Sequence, residues 1–444
     1  MERTVPSQTE RRPLLRRLSP RPVEDDDQLS ESAACHAHEH DTSHDASAGI
    51  TSKVFATSFS FLLLGLMAST AGVFVLSPVG YLAGACLNEP IHRRFGQRGI
   101  AVIAPICQIF FTVLASIRYE PGEVDFLVFP LIIVVGNFGF GLLHGSWSAW
   151  AGSLGRRTNI VQGLLHGSFA LGAGLGPFLA VWEAPWWQWW YVLLGAAILQ
   201  GVVLCWAFRF EDGRRYHEAS ETSRPSEQHA ASREPPVVRP RGALGYSVTW
   251  ICAAYFLVYA GTEAAISGWI ATFMLRARHA NTQLAILSSS GFWFGMAAGR
   301  ILLGLATDKL GIRTATVSYL VIAIVSQGIF TLVDHAIVSV IATVLLGFFL
   351  GPLFPFGIIM ITRLLPKELH VRAVSLAAAV GKVGAAFGPL VMGSLVQSLG
   401  LLGSQMILLM ILVVILLILC LSFKAARYIE RDGETVDPTE HATG

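Results

Sequence analysis

Two stretches of this chain repeat at a nearly constant distance inside an otherwise apolar sequence, and that restricts the fold more than any other feature. Gly172 to Pro177 reads GAGLGP and Gly384 to Pro389 reads GAAFGP, an offset of 212; Phe95 to Arg98 reads FGQR and Leu310 to Arg313 reads LGIR, an offset of 215. A period of about two hundred residues predicts two similar halves with a pathway between them. The medium follows from composition. Hydrophobic residues make up 53% and charged residues 14%, against roughly 25% charged in an average soluble protein, and the mean hydropathy is +0.55. Apolar segments of about 20 residues, enough to cross a hydrocarbon core of about 30 Å as a helix, recur along most of the length. The fold class is all-α and polytopic, in a lipid bilayer.

Ten crossings separate cleanly, near 100–118, 125–152, 160–182, 186–208, 244–274, 283–307, 314–332, 336–361, 371–394 and 400–423. Residues 1–53 read as a disordered tail rich in Pro, Ser and Arg. Its Ser19 lies in a kinase-like Arg-Arg-Leu-Ser-Pro run; His36, His38, His40 and His44 beside Cys35 read as a loose metal site or a solvated polar tract. A polar linker, 209–242, carries Arg209, Arg214, Arg215, Arg224, Arg233, Arg239 and Arg241. It divides an amino-terminal bundle, 54–208, from a carboxyl-terminal one, 243–423, and 424–444 is a second tail.

Basic residues set the orientation, because Lys and Arg are retained in cytoplasmic connections. Arg93, Arg94 and Arg98 share one connection and Arg156 and Arg157 another, followed by the linker, by Lys309 and Arg313, by Arg363, Lys367 and Arg372, and by Lys424 and Arg427. The alternate connections are nearly bare, with Glu183 in one and Asp334 in another; only Arg276 and Arg278 break the pattern. Both termini and the linker are therefore expected on the cytoplasmic side. That leaves only residues 54–91 to cross the membrane twice, which is tight at about 20 residues per crossing. Measured against the repeat, Leu244 to Gly311 spans 67 residues and Val54 to Gly96 spans 42, so about 25 residues are expected to be missing between Leu66 and Val75.

Net charge is only +2, which gives no footing for nucleic acid. The six cysteines are scattered without disulfide or zinc spacing. No nucleophile elbow, metal pair or phosphate loop appears, and GYSVTW (Gly245 to Trp250) and HGSWSAW (His144 to Trp150) fall short of one. The chain is read as a non-enzyme without metal or cofactor, a monomer whose partners are a small solute, protons and lipid.

Ionisable residues at membrane depth are costly and so are candidates for function. Glu263, between Gly261 and Gly268, takes a proton or a solute hydroxyl, or is a structural hydrogen-bonder; the glycines permit a broken helix there. Lys382, inside AVGKVGAAFGP, is too deep to snorkel and either pairs with a carboxylate such as Glu263 or lines a wet cavity. His144 and His166 are buried imidazoles or site residues. Tyr259 and Trp269 offer a stacking surface or simple packing, and Asn137 and Trp147 belong to the same candidate set. Gly172, Gly174, Gly176, Pro177, Gly384, Gly388 and Pro389 are expected to let helices approach closely and kink.

Gly299, Arg300, Gly304, Asp308, Lys309, Gly311 and Arg313 follow the G-R-x3-G-x3-D-[KR]-x-G-x-R pattern of the major facilitator superfamily. GYLAGACLNEPIHRRFGQRG (Gly80 to Gly99), SWSAWAG (Ser146 to Gly152), GLLHGSFALGAGLGP (Gly163 to Pro177) and VYAGTEAAISGWIATFMLRAR (Val258 to Arg278) resemble fungal members of its fucose-permease-like branch. The resemblance covers about 54–424. It implies twelve helices in two pseudo-symmetric six-helix bundles, the first shortened, alternating access, and proton-coupled movement of a sugar-like solute. It also implies a gate at the cytoplasmic face, where Arg300 is expected to hold Asp308 through a charge-assisted contact. The first helix, GLMASTAG (Gly65 to Gly72), and the fourth, NFGFGLLHGSW (Asn137 to Trp147), carry none of the carboxylates that such relatives place there. A non-transporting relative, a sensor or an inactive product of a shortened gene, stands as the alternative.

Overall fold

The computed structural model describes residues 49–68, 76–117, 128–180, 188–214, 243–365 and 367–434, except for the side chains at 128–130, 156, 177, 180, 308 and 419–434. The tail histidines and Ser19, most of the linker, Glu183, the stretch 69–75 and the Pro177 and Asp308 side chains lie outside that description. The helices are α1 Gly49–Ala68, α2 Ser77–Ser116, α3 Val128–Gly152, α4 Thr158–Ala180, α5 Gln188–Ala207, α6 Ser247–Arg276, α7 Thr282–Leu310, α8 Ile312–Leu332, α9 Ala336–Leu350, α10 Leu353–Leu364 and α11 His370–Glu434. No strand occurs among the described residues.

Two of these helices are each two crossings. Gly96 has φ 67° inside α2 and Gly400 has φ 75° inside α11, a left-handed turn that glycine takes without steric cost. The chain folds back at Gly96. Gly80 faces the Val134 carbonyl while Gly136, two residues along α3, faces the Phe111 ring, so both arms of α2 lie on the same stretch of α3. The arms are 77–95 and 97–116. In α11, 370–399 packs on α6 through Gly384, and 401–434 reaches α8 through Gln405. Nine helices among the described residues are long and apolar enough to span. With α2 and α11 each counted as a pair, α9 and α10 as one broken span, and the 23-residue α4 added, the crossings number twelve.

All ten spans read from the sequence are present, nine within a few residues and the last running eleven residues past 423, to Glu434. The opening differs from the expectation in its bounds. The first helix includes Gly49, upstream of 54, and the second crossing runs on to Phe95, so that His92, Arg93 and Arg94 belong to helix rather than to a loop. Each arm is then about 30 Å long, enough to cross. Their counterparts α6 and α7 have 30 and 29 residues against 20 in α1 and 77–95 in α2. The difference is shared between two helices.

The repeat in sequence is also a repeat of packing. Gly311 has φ 78°, matching Gly96, and each ends a helix on the same face. A Cβ at Gly172 would strike the Leu62 carbonyl oxygen of α1, and one at Gly384 would strike the Leu257 carbonyl oxygen of α6. Lipid tails leave little hydrophobic drive between helices, so close backbone approach of this kind supplies much of the packing. Each half also carries one buried amide bridge: Gln200 Nε2 donates to Gln108 Oε1 at 2.7 Å between α5 and α2, and Gln327 Nε2 to Gln405 Oε1 at 2.9 Å between α8 and α11. No sequence motif announced that pair.

Arg278, one of the two exceptions to the charge pattern, has a structural use. Its guanidinium donates to the Phe330 and Thr331 carbonyls at 2.8 and 2.9 Å and lies 3.3 Å from Asp334. It satisfies the free carbonyls at the end of α8, where a cation is also favoured by the helix dipole.

Candidate functional site

Between the two bundles lies a cavity of about 350 Å³, at the lower end of the range for small-molecule sites, about 300–1,000 Å³. The first half contributes Tyr81, Gln108, Phe111, Asn137, Phe140, His144, His166 and Phe169; the second contributes Glu263, Ser267, Ser289, Trp293, Arg300, Phe354 and Lys382. Met67, Ala68 and Ser77 also line it, at the ends of α1 and α2 away from the arginine-rich face. The cavity therefore extends toward the opposite face.

At its floor Arg300 meets Glu263. The guanidinium Nη2 lies 3.3 and 3.4 Å from the two carboxylate oxygens, with side-chain exposures of 2% and 11%. The remaining bonds of Arg300 are to backbone: Nη1 donates to the His166 carbonyl at 2.8 Å and Nε to the Gly351 carbonyl at 3.2 Å. This one side chain thus joins α7 to α4, to α6 and to the break between α9 and α10. The expected Arg300–Asp308 gate is corrected here. Eight residues separate the two along α7, about 12 Å, and Arg300 points into the cavity. Of the rest of the motif, Gly311 turns the chain, Lys309 and Arg313 are exposed on the basic face, and Gly299 and Gly304 are buried where α7 meets α9 and α4.

Glu263 does not sit in a broken helix. α6 is continuous from Ser247 to Arg276, and its glycines serve packing instead: a Cβ at Gly388 would strike the Gly261 carbonyl, and Gly268 faces Pro389. Gly174 faces Phe294 across the bundle boundary, and Gly176 is buried in α4.

Lys382 lines the cavity from α11, about 18 Å along the helix from His370. It does not pair with Glu263: no described carboxylate lies within 4 Å of it, and its ammonium stands 5.1 Å from the centre of the Phe140 ring, a cation–π contact. Its side chain is partly exposed, to the cavity.

The imidazoles are brought together. His144 and His166 stack edge to face at 5.3 Å, with Phe61 against both. Tyr81 Oη and His144 Nδ1 are 2.6 Å apart. Asn137 donates to the Ile133 carbonyl of its own helix at 2.9 Å, leaving its carbonyl oxygen for the cavity. Three candidates stand apart from the lining. Trp147 is fully buried and stacks on Phe208 at 4.3 Å in the core of the first half. Tyr259 donates to the Leu350 carbonyl at 2.8 Å, and Trp269 to the Pro389 carbonyl at 3.1 Å, so both tie helices of the second half.

Toward the basic face the two halves close. Asn88 Nδ2 on α2 donates to Ser375 Oγ on α11 at 2.9 Å, and Asn88 Oδ1 accepts from Ser146 Oγ on α3 at 2.7 Å and lies 3.0 Å from His92 Nδ1. The next residue, Glu89, contacts Arg93 at 2.8 Å and Arg372 at 3.6 Å. Gly145 and Gly152 of α3 admit Ser375 and Thr362. Sequence reasoning passed over Tyr81, Asn88 and the cavity role of Arg300. All three are polar side chains inside apolar helices, and the rule that singled out Glu263 applies to them equally.

The profile of the Major Facilitator Superfamily matches residues 46–336 and 251–442. Bypass of stop codon protein 6 of Saccharomyces cerevisiae is 26% identical over 360 residues, 74% of this chain and 70% of that protein. The gallate transporter of Pseudomonas putida is 25% identical over 352 residues, 73% and 76%. Among solved structures, the Escherichia coli fucose:proton symporter superposes with a TM-score of 0.59 at 12% identity, covering 84% of this chain and 98% of that one. The human organic anion transporter MFSD10 superposes at 0.58 and 15% identity, covering 87% and 92%.

Proposed function

Because the chain belongs to the major facilitator superfamily, an integral multi-pass family of transporters, we propose that it is a secondary transporter that moves a small, polar, sugar-like solute by alternating access through the central cavity. One observation carries the reading. A cavity of single-ring size sits between two pseudo-symmetric bundles, lined by both, reaching toward one face and shut on the other. The bundles 54–208 and 243–423 are the moving bodies, and the Asn88–Ser375 clasp is the contact that parts when the basic face opens. The basic face is cytoplasmic, with both termini, and the protein acts as a monomer.

Proton coupling fits the Glu263–Arg300 pair. A proton on Glu263 removes the charge that holds Nη2 and frees that end of the guanidinium, a local change with a differential effect on the two states. The relatives are named for fucose with a proton, for gallate and for organic anions, so both neutral and anionic solutes come into question. Counterflow of radiolabelled hexoses and hexuronates in proteoliposomes tests the reading. Exchange that vanishes in Asn137→Trp, which fills the cavity, supports it; correctly folded protein that exchanges nothing favours the non-transporting alternative. Accumulation driven by a pH gradient and lost in Glu263→Gln supports the coupling, and accumulation retained in that variant removes it.

A further inference from the structure

We propose that the solute carries a single carboxylate on a ring, and that Lys382 is the group that binds it; this rests on the transport reading above and names its cargo more closely. Among the described residues, the fixed charges that line the cavity do not balance. Glu263 and Arg300 cancel each other at 3.3 Å, and the other bonds of Arg300 go to two backbone carbonyls. Lys382 stands over with no described carboxylate within 4 Å and no hydrogen bond to any described residue. It is about 18 Å along its helix from His370, the nearer end of that crossing.

An ammonium at that depth is costly unless something neutralises it. The partner that the described residues do not supply is what an anionic solute would bring. A dianion would overshoot by one charge, and a neutral solute would leave the lysine as it is. The body of the solute follows from the walls: the rings of Phe140, Phe354 and Trp293 border the same space, and the ammonium that would take the carboxylate stands 5.1 Å from the centre of the Phe140 ring, so the rest of the solute lies beside aromatic walls. A planar or pyranose ring bearing one carboxylate satisfies both requirements.

Matched pairs test it: benzoate against benzamide and galacturonate against galactose, with the purified full chain, by calorimetric binding and by melting temperature. The acid of one pair or both is expected to bind at least 10-fold more tightly than its neutral partner. Lys382→Met is expected to weaken the acid about 10- to 100-fold, the range for a hydrogen bond to a charged group, and Lys382→Arg to keep the preference. Free of solute, Lys382→Met is expected to melt higher than the natural protein, since an uncompensated charge has gone. Equal or tighter binding of the neutral members, a preference that survives in Lys382→Met, or a lower melting point for that variant overturns the proposal. If galactose binds and exchanges in counterflow while galacturonate does not, the charge assignment falls and transport stands. If none of the four binds or moves, both fall.

Discussion

Arg300→Met removes one member of a buried ion pair and leaves the other in place. Glu263 is 11% exposed and Arg300 2%, so solvent screens the pair little, and stranding one charge of such a pair costs about 3–5 kcal/mol. The Gly351 and His166 carbonyls also lose a donor, but these losses belong to one network and do not add. For a cooperative unit the size of one bundle, about 2–4 °C per kcal/mol, the melting temperature should fall by roughly 6–20 °C. The reasoning says that most of this is the stranded carboxylate. Arg300→Met combined with Glu263→Gln should therefore recover most of the loss, to within about 1.5 kcal/mol of the natural protein, since the remaining cost is a few neutral hydrogen bonds. Melting curves of the four proteins of this cycle in one detergent measure it. A single variant that shifts by less than about 3 °C, or a double variant no more stable than the single, refutes the pair as drawn.

Gly384→Val and Gly172→Val each place a branched side chain against a neighbouring carbonyl and should cost at least the about 1–3 kcal/mol of overpacking; a melting point unchanged in either would show that the two halves do not rely on that approach. Asn88→Leu removes the hydrogen bond to Ser375, worth about 1 kcal/mol or roughly 5-fold in an equilibrium. Ser375→Cys, buried in the natural protein, should then react about 5-fold faster with a maleimide from the basic face, and an unchanged rate would dismiss the clasp. Arg278→Gln should destabilise by about 1.5–3 kcal/mol without moving solute affinity, and a loss of affinity at constant stability would place Arg278 in the transport path.

The crossings were legible because lipid imposes one requirement on every span, a run of apolar residues long enough to satisfy its own backbone. The duplication was legible where it constrains backbone: Gly172 and Gly384 recur because a side chain cannot fit between helices there, and Gly96 and Gly311 because the chain turns left-handed. It was hidden where it constrains side chains. The bridges Gln108–Gln200 and Gln327–Gln405 perform the same task in each half, yet their positions are offset by 219 and 205 residues, so no single register aligns both. The opening pair of helices was misjudged for a related reason. Hydropathy alone trims a span at its flanking charges, here Lys53 and Arg93, whereas the helices run past both, with Lys53 paired to Glu211 and Arg93 to Glu89.

Arg300 shows why the site was harder to read than the fold. Taken as part of a motif, it belongs with Asp308 at the membrane surface. Taken as an ionisable side chain ten residues inside the end of α7, it belongs at membrane depth, and a charge there demands a partner on another helix. The second argument needs only depth, and it holds for Glu263 and Lys382 as well. It says that the three charges share one level of the bilayer but not how they divide: two cations and one carboxylate permit either pairing. The division is decided by α4 and the break at Gly351, whose carbonyls fix the guanidinium beside Glu263 and so leave the lysine, and not the arginine, without a described carboxylate beside it.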